Sequence, residues 1–301
     1  MISSFPKIFA IGNDRISDIF FDEVEVTEKI DGSQFCWGKI NGELHFRSKG
    51  AVLYKENPQK MFREGIEYII SIKDRLPNGI VFYSEYLQKP KHNVLAYDRI
   101  PKNNIALFGA IDYTKQMMIS DYWKYANQLE IDRVPILRIG KVNNVEELHT
   151  LLDKESVLGG PKIEGIVIKN YKKELFIGGV LLPLMSGKYV SEKFKEVHNR
   201  DWKKGHTTKG RFELFKESFR TEARWEKAIQ HMRERGELEN DPRDIGKLIK
   251  EIQDDIETEE KENIKEYLYK EFKREIMSSA IKGFPIWYKN RLLESVKFEE
   301  R

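Results

Sequence analysis

The sequence predicts an α+β chain: antiparallel sheets with flanking helices, followed by an all-α part. Two observations carry this. From Val24 to about Val190, short apolar runs alternate with turn residues, the texture of strands. After Asn199 the composition shifts, and residues 209–301 carry helical periodicity, dense charge and few strand signals. The boundary is expected near residues 198–210, dividing the chain into 1–200 and 201–301.

Residues 1–23 mix short apolar pieces with Pro6, Gly12 and Asn13 and specify little. Val24–Thr27 alternates as a strand and runs into Glu28-Lys29-Ile30-Asp31-Gly32-Ser33. Asp31-Gly32 signals a tight turn, with Gly32 free to take a positive φ, so Lys29 is expected at a strand end. Gln34–Ile40 and Glu43–Arg47 flank Asn41-Gly42, a strong hairpin signal. Met61–Arg75 is amphipathic at helical spacing and ends at Leu76-Pro77-Asn78-Gly79. Ile80–Leu87 and Ile105–Ile111 are buried-type strands, and residues 115–128 and 145–154 are expected as helices. Leu158-Gly159-Gly160-Pro161 breaks the chain before a strand over Glu164–Lys169. Ser186–Lys195 leaves the β region rich in lysine, either at the site or as a solvated helix start. Asn240-Asp241-Pro242 signals a helix start, with Ile245, Leu248, Ile249, Ile252 and Ile256 repeating behind it. A second long helix is expected over Thr258–Ile281, stopped by Gly283-Phe284-Pro285.

With 301 residues, 40% hydrophobic and 12% aromatic, the chain can build a sizeable core. The 34% of charged residues nearly balance at +3, so a nucleic-acid partner would need a local basic groove rather than a basic whole. The single cysteine, Cys36, rules out an intrachain disulfide, and no Cys/His spacing suggests zinc. No signal peptide pattern and no long apolar run are present, so a cytoplasmic location is expected.

Several residues suit chemistry. Lys29, between carboxylates and two residues before Asp-Gly, is a candidate nucleophile. Lys-x-Asp-Gly also recurs by chance, and a solvated strand end is the plain alternative. Arg47 and Lys49 return along the hairpin toward Lys29, where two cations suit a polyphosphate; they equally suit a solvated loop. Glu85 inside an apolar strand requires pairing or a solvated cleft. Phe108 is core, or offers a ring face to a purine. Glu164 at the mouth of its strand can hold a metal through oxygen, and Gly165 admits a ligand close to the backbone.

In order, Lys29-x-Asp31-Gly32, Arg47-Ser48-Lys49-Gly50, Glu85, Phe108, Glu164-Gly165-x-Val167-x-Lys169 and Lys188 resemble the motifs of covalent nucleotidyltransferases. Within that superfamily the chain is similar to the ATP-dependent RNA ligases of phage and bacteria that carry a C-terminal helical domain. Thr221–Ala228 and Pro242–Gly246 resemble that domain. The resemblance implies a nucleotidyltransferase (ATP-grasp-like ligase) domain over 1–200 and a helical domain over 201–301. It implies that Lys29 takes AMP from ATP as a phosphoramidate. Glu28 and Ile30 would flank the adenine pocket, and Asp31 and Gly32 would shape the nucleotide turn. Arg47 would meet the sugar and phosphate, Glu85 the ribose hydroxyls, and Phe108 the adenine face. Lys169 would join the nucleotide site, and Lys188 the α-phosphate. Glu164 would bind divalent metal, Mg2+ or Mn2+. AMP would then pass to an RNA 5′-phosphate for attack by a 3′-hydroxyl. DNA or mixed-substrate ligation, or nucleic-acid binding without catalysis on the same scaffold, are the alternatives. Gln34 stands where RNA ligases commonly carry asparagine, and Lys188 lacks a second lysine two residues on, with Lys193 as substitute. Lys203, Lys204, Lys209 and Arg211 are candidate contacts to the nucleic-acid backbone.

Overall fold

The computed structural model describes residues 2–56, 58–93, 95–177, 179–190 and 208–299, with the side chains of 208–211, 214, 223 and 293–299 left aside. The expected domain boundary, and Lys193, Lys195, Lys203 and Lys204, lie outside these residues, as do the side chains of Lys209 and Arg211.

In chain order the strands are β1 (Phe9–Ala10), β2 (Val24–Lys29), β3 (Ser33–Ile40), β4 (Glu43–Ser48), β5 (Val52–Leu53), β6 (Ile80–Tyr86) and β7 (Ile105–Asp112). They continue with β8 (Met117–Met118), β9 (Asp132–Arg133), β10 (Ile136–Gly140), β11 (Gly165–Asn170), β12 (Leu175–Ile177), β13 (Val180–Leu182) and β14 (Met185–Val190). Helices α1 (Arg63–Ser71) and α2 (Trp123–Gln128) sit among them, and α3 (Thr208–Glu217), α4 (Glu222–Arg235), α5 (Asp244–Glu259), α6 (Lys261–Ala280) and α7 (Phe284–Glu299) follow.

The strands form two main sheets, ordered β1-β14-β11-β2-β10 and β5-β4-β3-β6-β7-β8, antiparallel except at β1·β14 and at β9, which pairs β7. β2 and β3 are therefore not a hairpin. The chain leaves one sheet after Lys29 and enters the other at Ser33, so Ile30-Asp31-Gly32 is the crossing between layers. Gly32 does not adopt a positive φ, contrary to the turn expected. It is glycine because a Cβ there would lie 2.8 Å from Leu87 Cδ1 and 3.1 Å from both Glu85 Oε2 and the Tyr86 carbonyl. The Asn41-Gly42 hairpin forms as expected, with φ of 52° and 83°.

The strand period of two sorts the residues into layers. Val24 and Val26 join Ile166, Ile168 and Tyr189 in one cluster under the five-stranded sheet, with Ile16, Ile19 and Leu148. Phe35, Trp37 and Phe82 join α1 and α2 in a second cluster on the outer face of the larger sheet. A third cluster holds Phe5, Ile30, Cys36, Tyr83, Phe108 and Leu184. Burying a large apolar side chain contributes about 1.5–3 kcal/mol, so these clusters hold the sheets in place.

Two expected helices came out differently. Over 115–128 only Trp123–Gln128 is α-helical, because Asp112 Oδ1 accepts from the amides of Thr114 and Lys115 and turns the chain back into β8. Residues 145–153 form a 3-10 segment. Lys188 lies on a strand, not at a helix start. The helices expected near Asn240 and Thr258 are α5 and α6. No helix among the described residues is long and apolar enough to cross a membrane.

Candidate active site

Register places the site. Lys29 is opposite Gly165, Thr27 opposite Val167, and Val167 opposite Lys188. Paired residues share a face, so Lys29 and Lys188 project from the same side of the five-stranded sheet. In the other sheet Gln34 is opposite Glu85, and Cys36 is opposite both Tyr83 and Arg47. Glu85, Arg47 and Gln34 therefore share a face with Cys36 and Tyr83, which belong to the same cluster as Ile30.

Lys29 is about a quarter exposed, and its Nζ donates to both oxygens of Glu164, at 2.7 and 2.6 Å. Burial opposes its charge, but Glu164, Glu85 and Asp31 outweigh burial and raise its pKa above the usual lysine value. A cationic environment that lowers it is not what the fold provides. Glu85 faces the complementary problem. Its own burial and the charges of Glu164, Asp31 and Glu234 outweigh Lys29 and push it up to about 8. This pocket holds more carboxylate than lysine.

Lys188 carries the opposite imbalance. Lys188 is exposed along β14, yet the protein packed around it and the nearby charges of Lys29, Lys227 and Lys49 push its pKa down to about 8. No acidic side chain among the described residues pairs with it at ion-pair distance.

The remaining expected residues divide. Glu28 turns its side chain away from Lys29, accepting from Ser156 Oγ at 2.5 Å and the Val157 amide at 3.1 Å. Ile30 is core. Asp31 braces the loop after β6: its amide donates to Tyr97 Oη at 2.7 Å, and its Oδ2 accepts from the Leu95 amide at 2.8 Å. Arg47 does not reach Lys29; its guanidinium donates to the carbonyls of Ile2, Ser48 and Lys49. Lys49 pairs instead with Glu259 of α5 at 3.0 Å. Phe108 occupies a bulge in β7 and meets the edge of Phe5, ring centroids 5.0 Å apart. Gln34 accepts from the Phe5 amide at 3.2 Å, which ties down the N-terminal segment.

Lys169 corrects an expectation. It is 1% exposed, and its Nζ donates to Glu25 at 2.9 Å, to the Phe108 carbonyl at 2.6 Å and to Tyr122 Oη at 3.3 Å. All three donors are used inside the protein, so no direct nucleotide contact is open to it. Its work is to tie β11 to the Phe108 bulge.

Sequence reasoning missed the helical part as a wall of this site. On α4, Gln230 Nε2 donates to the Gly32 carbonyl at 3.3 Å and to Ser33 Oγ at 3.1 Å. Lys227, Gln230 and Glu234 share one helix face by spacing, a signal that marks a face without naming its partner. Ser33 Oγ also lies 2.9 Å from His92 Nε2, while His92 Nδ1 accepts from the Gln88 amide at 3.0 Å. Nε2 therefore carries the proton and donates to Ser33. Burial pushes this imidazole down to about 4. Because the folded value lies below the unfolded 6.5, its contribution is intact above that pH and is lost as pH falls from about 6.5 to about 4. Wild type should lose up to roughly 3 kcal/mol more than His92→Gln across that window, read by urea unfolding at each pH. Equal losses would remove His92 from the account.

The family model described as RNA ligase matches residues 22–182, and the chain belongs to the RNA ligase family. No curated protein matches it. Among solved structures it is similar to Naegleria gruberi RNA ligase with PPi, at 19% identity and a TM-score of 0.48, covering 66% of this chain and 60% of that one. A lysine-to-alanine variant of the same ligase with ATP and Mn gives 19% identity and a TM-score of 0.49 over 65% and 58%. The chain thus spans less than two thirds of those ligases.

Proposed function

We propose that the chain is an ATP-dependent RNA ligase acting through Lys29. The observation that carries this is the Lys29 ammonium on both oxygens of Glu164, with Glu85 nearby in charge and Lys188 on the same sheet face. A deprotonated Lys29 Nζ attacks the α-phosphorus of ATP, forming the N–P bond as pyrophosphate leaves. Lys188 offsets charge developing on the α-phosphate. AMP then passes to an RNA 5′-phosphate, and a 3′-hydroxyl displaces it to form the phosphodiester. The proposed partner is RNA with 3′-hydroxyl and 5′-phosphate ends, and the proposed location is the cytoplasm. Residues 1–200 serve as the adenylation domain and 201–301 as the helical domain.

Among the described residues no group of three or more His, Cys, Asp or Glu forms a metal-holding cluster. A hard divalent ion that keeps waters and shares a phosphate needs only one or two carboxylates, and Glu164 beside the charge-burdened Glu85 fits that demand. When bound, Mg2+ or Mn2+ supplies positive charge against the phosphates. Glu164 would hold it, Glu85 would meet the ribose hydroxyls, Arg47 and Phe108 would line the nucleotide end, and Glu28, Ile30, Asp31 and Gly32 would hold the crossing in shape.

The test is incubation with α-labelled ATP and magnesium, denaturation, and recovery of labelled protein, followed by sealing of a nicked duplex with RNA ends. Label on the Lys29 peptide and sealed RNA are expected. Protein that takes no label, or sealing that prefers DNA 3′-hydroxyl strands, would count against this reading.

A further inference from the structure

The crossing Ile30-Asp31-Gly32 leaves β2 directly after Lys29 and belongs to no strand, so side chains must satisfy its backbone. The loop after β6 supplies two of them. The Asp31 amide donates to Tyr97 Oη at 2.7 Å, and the Gly32 carbonyl accepts from Asn93 Nδ2 at 3.0 Å. A further donor comes from α4. Gln230 Nε2, 198 residues on, reaches the Gly32 carbonyl at 3.3 Å and Ser33 Oγ at 3.1 Å. Its amide can face only one way. Nε2 also donates to Glu234 Oε1 at 2.8 Å, so a flipped amide would set its oxygen against both the Gly32 carbonyl and the Glu234 carboxylate. Glu234 is 4% exposed and lies one turn further along the same helix face. Ser33 closes the arrangement. His92 Nε2 donates to its oxygen, which leaves the Ser33 proton for Glu234. Ser33 and Gln230 both lower the Glu234 pKa against the burial that raises it.

We propose that Gln230, oriented by Glu234, is a positioning residue for adenylyl transfer to Lys29. It touches no reacting atom. It acts through the Gly32 carbonyl and Ser33 Oγ, which fix the crossing and with it the strand end that carries Lys29. The catalytic half of this inference rests on the ligase reading. In-line attack on phosphorus tolerates little misplacement, and a displacement of about 1 Å can cost about 10^2-fold in rate. The helical part therefore belongs to the nucleotidyl-transfer step itself, because one of the groups that fix the Lys29 crossing is mounted on α4.

Single-turnover uptake of α-labelled ATP by the full chain, at several ATP concentrations, separates rate from binding, and melting curves confirm that each variant is folded. Gln230→Met, similar in length but without a donor, should label about 10^2-fold more slowly at saturating ATP, with half-saturating ATP within about twofold of wild type. Glu234→Leu, which frees the amide to turn, should slow labelling about tenfold, while Glu234→Gln, whose oxygen still accepts from Gln230, should stay within about threefold. Hydrogen exchange of the peptide carrying Ile30–Gln34 should speed about tenfold in Gln230→Met and stay at the wild-type rate in Glu234→Gln. If Gln230→Met does not fold, Gln230→Asn, whose donor falls one methylene short, carries the same expectations. A contact that only adds stability would lower the melting temperature and leave the rate at saturating ATP unchanged. That result, a loss confined to ATP binding, or Glu234→Gln as slow as Glu234→Leu would overturn the proposal. Faster exchange in Gln230→Met with no label on wild type keeps the brace and drops the ligase reading. Equal labelling of wild type and Gln230→Met keeps the ligase reading and removes Gln230.

Discussion

Lys29→Ala should take no detectable label from α-labelled ATP, a loss of about 10^4-fold or more, because the residue supplies the bond-forming atom itself. Its fold should survive, since the side chain is partly exposed at a strand end and packs in no core cluster. A labelled alanine variant would move the nucleophile elsewhere. Glu164→Gln gives the companion result. Glu164 is the largest influence raising the Lys29 pKa, so its removal shifts the amine toward the neutral form at lower pH. The rate of label uptake in wild type should rise with pH as Lys29 deprotonates. In Glu164→Gln that rise should move to lower pH, while the plateau falls by about 10^2-fold for want of the carboxylate. Single-turnover labelling across neutral and alkaline pH reads both. A profile that stays in place, or moves to higher pH, would remove Glu164 as the group that governs Lys29.

Lys169→Met should destabilise the chain by about 3–5 kcal/mol, because it strands Glu25 as a buried charge. Glu25 is 5% exposed and holds Lys169, Tyr122 and Tyr171 around one oxygen. Exchanging both partners, Lys169→Met with Glu25→Leu, should recover most of that loss, since two apolar chains leave no charge behind. Urea unfolding at neutral pH measures both. A single variant that costs less than about 1 kcal/mol would mean that Glu25 has another source of compensation.

The two residues differ in how far the sequence reveals them. Lys29 was visible because a strand end followed by Asp-Gly is a local pattern, and the carboxylates at 85 and 164 were conspicuous inside apolar runs. Lys169 sits in an equally suggestive motif, yet its partners lie on β2, on β7 and at Tyr122 just before α2, 144, 61 and 47 residues away. Arg47 shows the same limit. The hairpin was legible, but the Ile2 carbonyl that captures the guanidinium comes from a segment with no pattern of its own. The same limit applies to the two cations, Arg47 and Lys49, that the hairpin sends toward Lys29: they are held by backbone carbonyls and by Glu259. In the fold Glu164, Glu85 and Asp31 act on Lys29, while Lys29, Lys227 and Lys49 act on Lys188.

By itself the sequence determined the strand-rich and helical parts, the Asn41-Gly42 hairpin, and the order in which reactive side chains arrive at strand ends. These follow from periodicity and turn chemistry, which act over a few residues. Only the tertiary structure decided that Gly32 is a crossing between sheets, that Lys169 is spent internally, and that α4 and α5 close over Ser33 and Lys49. Those outcomes rest on pairing register and on charge separations of a few ångströms between distant segments, and no short-range pattern encodes either.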